Sequence, residues 1–157
     1  HEGRLRGSEE ERGDLMTIQS IDKPRPRYGD RKKPMHYPMT AGAVIKAGAI
    51  VSTVAGLALE GATATTHTTV GVACARCDNT GGAAGAKFVE VDEGDFPVDN
   101  SSAGDLLANA DITAVVYLVD NNTAAKTNGG ATRSVLGRLV GFFSDGRPMV
   151  RIGLTDK

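Results

Sequence analysis

The chain has no tryptophan, and aromatic residues make up only 4% of its 157 residues, so any core it builds must be aliphatic. Its two cysteines, Cys74 and Cys77, are too few for a disulfide framework. On one continuous strand their spacing sends the two side chains to opposite faces, which opposes a mutual bridge, and a lone CxxC is half a zinc site. They are read as small buried thiols. Histidine is scarce as well: His1, His36 and His67 are the whole supply. His67 stands among Thr65, Thr66, Thr68 and Thr69, but no strained nucleophile turn or third orienting group accompanies it. No apolar run approaches the roughly 18 residues of a membrane helix, and no secretory signal is visible, so the expected site of synthesis is the cytoplasm. The acidic run Asp92, Glu93, Asp95 and Asp99 lacks the spaced pattern of a calcium loop, and Asn79-Thr80-Gly81-Gly82 lacks the lysine of a phosphate loop. No catalytic residue, metal site or cofactor is therefore expected.

Glycine, by contrast, is abundant at 20 residues, and the apolar segments it punctuates are short. Candidate strands are 44–52, 57–60, 68–75, 87–91, 115–119, 134–142 and 148–154, with helical periodicity suggested only at 103–111. In the last strand Val150, Ile152 and Leu154 alternate with Arg151 and Gly153, as one buried face requires. Asp145-Gly146 joins it to the preceding strand as a hairpin. Short strands spaced by Gly and Asx turns predict an all-β fold, a small β-barrel or sandwich. The most organised stretch is 114–127, AVVYLVDNNTAAKT. Val115–Val119 do not alternate with polar residues, which predicts burial on both faces, and Asp120, Asn121, Asn122 and Thr123 then stop the strand as a fold-fixing turn.

The N-terminal third reads differently. Residues 1–15 are polar and without apolar periodicity, and are expected to be a disordered or non-native leader ahead of a natural start at Met16. Residues 16–40 are expected to form an extended arm, and 41–157 the β-barrel-like domain. In the arm Lys23, Arg25, Arg27, Arg31, Lys32 and Lys33 face only Asp22 and Asp30, and Pro24, Pro26, Pro34 and Pro38 bias the chain away from helix. Ordering such a segment costs about 1–2 kcal/mol per residue, while a backbone hydrogen bond returns a net ~0.5–1.5 kcal/mol, so docking needs apolar anchors. Ile18, Ile21, Tyr28, Met35, Tyr37 and Met39 are spaced to supply them. The net charge of the whole chain is −1 and the arm lacks a base-reading module, so direct nucleic-acid binding is not expected.

Three stretches together resemble the capsid cement, or head decoration, proteins of tailed bacteriophages. They are residues 70–85 (VGVACARCDNTGGAAG), 117–127 (YLVDNNTAAKT) and 132–152 (TRSVLGRLVGFFSDGRPMVRI). The matching positions are Val70, Gly71, Val72, Ala73, Asp78, Asn79, Gly81, Gly82 and Gly85, then Tyr117, Val119, Asp120, Thr123, Ala125, Lys126 and Thr127, and last Arg133, Gly137, Arg138, Asp145 and Gly146. Asn121 stands where a second Asp is usual, Leu136 where a small residue is common, and the basic arm is longer. The resemblance implies a non-enzymatic β-barrel-like homotrimer on the outer capsid surface of the virion, assembled in the bacterial cytoplasm. Its partner would be the phage major capsid protein, bound at junctions between subunits, with no membrane involved. The arm anchors and cations would be the capsid-binding residues. The alternative class is a virion-surface module for host or glycan binding, followed by a nucleic-acid-binding protein.

Overall fold

A computed structural model of the chain describes residues 34–154. These are nearly all β, with short strands in chain order: β1 (Met35–Pro38), β2 (Val44–Ile45), β3 (Ile50–Val54), β4 (Leu57–Glu60), β5 (Thr68–Ala73), β6 (Cys77–Asp78), β7 (Phe88–Asp92), β8 (Gly94–Pro97), β9 (Asp99–Asn100), β10 (Val115–Leu118), β11 (Thr123–Ala125), β12 (Val135–Phe142) and β13 (Pro148–Ile152). A five-stranded sheet runs β1-β7-β5-β3-β4, a six-stranded sheet runs β8-β13-β12-β10-β11-β9, and β2 pairs with β6. Every pairing in these sheets is antiparallel except β11 with β9. The all-β expectation holds, as sheets rather than a closed barrel. A single parallel bridge, Met39 with Ala58, brings the two ends of the five-stranded sheet together without closing it.

The core is aliphatic and divided in two. One cluster gathers Ile50, Leu118, Leu136, Leu139, Val150 and Ile152, with Phe96 and Phe142 at its margin, and draws on both large sheets. The other gathers Met39, Ile45, Val51, Val70, Val89 and Val91 from the five-stranded sheet and β2. Strand alternation explains the division: Ile50 and Val51 are successive residues of β3 and point to opposite clusters. β13 alternates as expected through Ile152, with Val150 and Ile152 buried and Arg151 half-buried, but the strand ends there and Leu154, expected on the buried face, is 48% exposed.

Three expectations are corrected here. Residues 44–52 are two strands, because the chain turns at Lys46–Ala49, where Ala49 N–H donates to the Lys46 carbonyl at 3.2 Å. The stretch 103–111 holds two 3₁₀ turns, Ala103–Asp105 and Asn109–Asp111, in place of a helix. β10 is buried on one face, through Val116 and Leu118, with Val115 and Tyr117 only half-covered.

Two glycines of the family-like motifs sit where no side chain fits. A Cβ on Gly137 would lie 2.0 Å from the Arg151 carbonyl oxygen across the β12–β13 ladder, and one on Gly71 would lie 2.3 Å from that of Asp92. Gly141, also on β12, has open space around it. Gly137→Ala is therefore expected to lower the unfolding free energy by roughly 1–3 kcal/mol or to prevent soluble expression, while Gly141→Ala shifts the urea midpoint little. Equal midpoints for the two variants would contradict the steric account.

Candidate functional site

The candidate site has two parts, the arm and the turn at 120–123. Of the arm residues, Ile18, Ile21, Lys23, Arg25, Arg27, Tyr28, Arg31, Lys32 and Lys33 lie outside the described residues. The arm's C-terminal end lies within them. β1 pairs along its length with β7, in the register Met35 with Val91 through Pro38 with Phe88, so residues 35–38 are a strand of the body. Met39 is completely buried in the second cluster and Tyr37 packs against it. Met39 is thus corrected from a capsid anchor to a core residue, because its thioether fills its own sheet. Met35, at 56% exposure, remains on the surface. Pro38 is tolerated because β1 is an edge strand, where a missing N–H breaks no ladder.

The turn proves to be a joint between sheets. Asp120 Oδ1 accepts the Asn122 N–H at 2.8 Å, the Asx turn that reverses the chain between β10 and β11. The Asn121 carbonyl accepts the N–H of Ile50 at 2.9 Å, from the five-stranded sheet, and the Asn122 carbonyl accepts that of Asp99 at 2.8 Å, from the six-stranded one. Side chains reinforce the same links. Asn121 Nδ2 donates to Glu60 Oε1 at 3.0 Å, and Asn122 Nδ2 to Asp99 Oδ2 at 3.0 Å. Glu60 also receives the Lys46 N–H at 2.8 Å and its ammonium at 3.3 Å. Burial pushes the Glu60 carboxyl up, but the hydrogen bonds from Lys46 and Asn121 outweigh it, leaving the group below its ordinary value of 4.5.

A second joint was not legible in the sequence. Asp105, inside the stretch read as helical, accepts from the Thr127 hydroxyl at 2.5 Å and pairs with Arg133 Nη1 at 3.1 Å, while its carbonyl takes the Lys126 N–H at 3.0 Å. Lys126 Nζ reaches Asp111 Oδ1 at 3.4 Å, and Asp111 Oδ2 accepts the Ala108 N–H at 2.8 Å. Thr127 and Arg133 carried a signal as motif residues; Asp105 carried none. A third joint is Asn79, buried in its glycine-rich loop, whose Nδ2 donates to the carbonyls of Thr40 and Ala83, each at 3.0 Å.

The remaining chemistry-bearing residues are mostly engaged in structure. Asp95 binds Arg151 through two contacts of 2.8 and 3.0 Å, and Glu93 accepts the Leu154 N–H at 3.1 Å. Cys74 is exposed beyond the end of β5, not buried as expected, because the chain turns there toward β6. Partial desolvation and the carboxylates of Asp92 and Glu90 push its thiol up to about 11, which keeps it protonated and a poor nucleophile at neutral pH. His67 lines a shallow cavity of about 370 Å³ with Thr65, Thr68, Thr69, Arg133 and Ser134. Its Nδ1 and the Nε of Arg133 are buried without a partner, and burial lowers its pKa, so it is neutral at pH 7. Among the described residues no helix is long and apolar enough to cross a membrane.

Because the folded pKa of Glu60 is depressed, its contribution to stability is present above its ordinary value and is lost as pH falls through the folded value. Urea midpoints at pH 7 and pH 3 check this. Asn121→Ala is expected to narrow the gap between them relative to the native chain, and a gap of unchanged size would refute the link. Asp120→Ala is expected to cost about 1 kcal/mol through the lost Asx bond, measured at pH 7. No protein-family model, curated protein or solved structure matches the chain.

Proposed function

We propose that this protein is a capsid decoration protein of a tailed bacteriophage. In this reading it is non-enzymatic, binds the outer surface of the head as a homotrimer at junctions between major capsid protein subunits, and reinforces the shell. The observation that carries the reading is where the family-like residues fall. Gly71 and Gly137 occupy positions closed to any side chain, Asn79, Thr127 and Arg133 tie separate segments together, and Asp120 closes the turn between β10 and β11. A likeness confined to exposed loops would speak only of shared composition; one on the positions that fix the backbone speaks of a shared architecture.

The arm enters this reading in shortened form. With residues 35–39 engaged in the body, capsid contact is assigned to residues 16–33, which hold the six cations and the anchors Ile18, Ile21 and Tyr28. A closed trimer offers several arms at once, so after one has docked the others bind at high effective concentration and weak single contacts give lasting attachment.

Co-sedimentation with purified DNA-free heads of the encoding phage tests the proposal. The native chain is expected to pellet with heads, and a chain lacking residues 1–33 to lose most of its occupancy while keeping its far-UV spectrum. Occupancy is also expected to fall as salt rises from about 0.05 to about 0.5 M, since the Debye length then shrinks below the spacing of exposed charges. A native chain that ignores heads overturns the decoration reading. Full occupancy by the truncated chain overturns the arm's role.

A further inference from the structure

Asn128 is the chain's one asparagine followed by glycine. The Cγ of an asparagine amide is open to attack by the backbone nitrogen of the next residue, and a glycine there puts no Cβ in the way. In Asn79, Asn100, Asn121 and Asn122 the amide nitrogen that such an attack would expel is held by acceptors: the carbonyls of Thr40 and Ala83, the Leu107 carbonyl, Glu60 and Asp99 respectively. The Asn128 side chain makes one bond, through its oxygen, so its Nδ2 donates to no group among the described residues, and the residue is exposed.

The bonds around Asn128 supply what the attack needs. Its Oδ1 accepts the Ala131 N–H at 3.2 Å, which turns the side chain toward the residues that follow and polarises its carbonyl. The Gly129 N–H, whose proton must leave, donates to Thr127 Oγ1 at 3.3 Å. The hydroxyl proton of Thr127 is itself directed to Asp105 Oδ1 at 2.5 Å, so the Thr127 oxygen is free to accept. Bonds from Thr127 and Arg133 hold the Asp105 carboxyl below its ordinary value, which leaves it ionised at neutral pH. The Gly129 N–H, the Thr127 hydroxyl and the Asp105 carboxylate form a line along which a proton can pass.

We infer that Asn128 is a self-modification site, at which the folded loop converts asparagine to aspartate or isoaspartate. The Gly129 nitrogen bonds to Asn128 Cγ as its proton passes to the Thr127 oxygen and the Thr127 proton passes to Asp105. The Cγ–Nδ2 bond then breaks, the proton returns along the same line to the expelled nitrogen, and ammonia leaves. Water opens the resulting succinimide at either carbonyl, so a carboxylate stands at 128 and each copy gains one negative charge. An unused donor lies beside it: Arg133 Nε is buried without a partner and sits against Gly129, where an added Cβ would meet it at 3.1 Å. Thr127 takes the proton, and Asp105 acts by positioning the Thr127 hydroxyl. The inference does not depend on the decoration reading.

Peptide mapping by mass spectrometry of the full chain, aged at neutral pH, gives the test. Residue 128 is expected to gain the mass difference between a hydroxyl and an amino group, with isoaspartate appearing there, while Asn79, Asn100, Asn121 and Asn122 stay unchanged. Thr127→Val is expected to slow the conversion several-fold, and Thr127→Ser, which keeps the hydroxyl, to proceed at the native rate. In urea, where the line is broken, the native and Thr127→Val chains are expected to convert equally, which separates the relay from any local effect of the neighbouring side chain. An Asn128 that persists in the aged folded protein would overturn the inference. So would a folded Thr127→Val chain that matches the native rate, or a Thr127→Val effect of the same size in urea.

Discussion

The structure depends on two backbone carbonyls in one turn. Those of Asn121 and Asn122 accept N–H groups from Ile50 and Asp99, one from each large sheet. An aliphatic core with so few aromatic rings has little directional packing to set the sheets against each other, since aliphatic groups attract without preferred orientation. Hydrogen bonds are directional, and a strand that slips by one residue exchanges its buried and exposed faces. At the joint such a slip would also strand Asn121 Nδ2 away from Glu60 and Asn122 Nδ2 away from Asp99. The turn therefore transmits the register of one sheet to the other, and the two clusters meet as a consequence.

What the sequence made legible was whatever local periodicity encodes. β4 has the bounds expected, and β13 and β12 differ from expectation only at their ends. The strands without a counterpart among those expected are β1, β6, β8, β9 and β11, all short, and polar, alanine-rich or ending in proline. β9 is instructive: Asp99-Asn100 has no apolar pattern, and it is a strand because it lies beside β11 and the turn carbonyl of Asn122. Non-local pairing made it, and a single chain read in order carries no trace of that. The same holds for Asp105, whose partners lie more than twenty residues away.

The arm illustrates a different ambiguity. Met35, Tyr37 and Met39 recur at every second residue, which is equally the pattern of an anchored peptide and of a strand. The prolines favoured the first reading. Pro38 ends an edge strand, however, and the Met39–Ala58 bridge carries the chain on into the sheet. A periodicity of two cannot distinguish pairing with one's own sheet from pairing with another protein's, because the backbone chemistry is the same.

Charge placement links these features. The arm's six cations stand against two carboxylates, yet the whole chain has a net charge of −1, so the remainder is acidic. Asp105 and Asp111 each hold a loop in place and each meets a cation: Asp111 accepts the Ala108 N–H and pairs with Lys126, while Asp105 accepts the Thr127 hydroxyl and pairs with Arg133. The basic segment at 16–33 has the opposite sign from the remainder of the chain, so one sequence carries two separate electrostatic features.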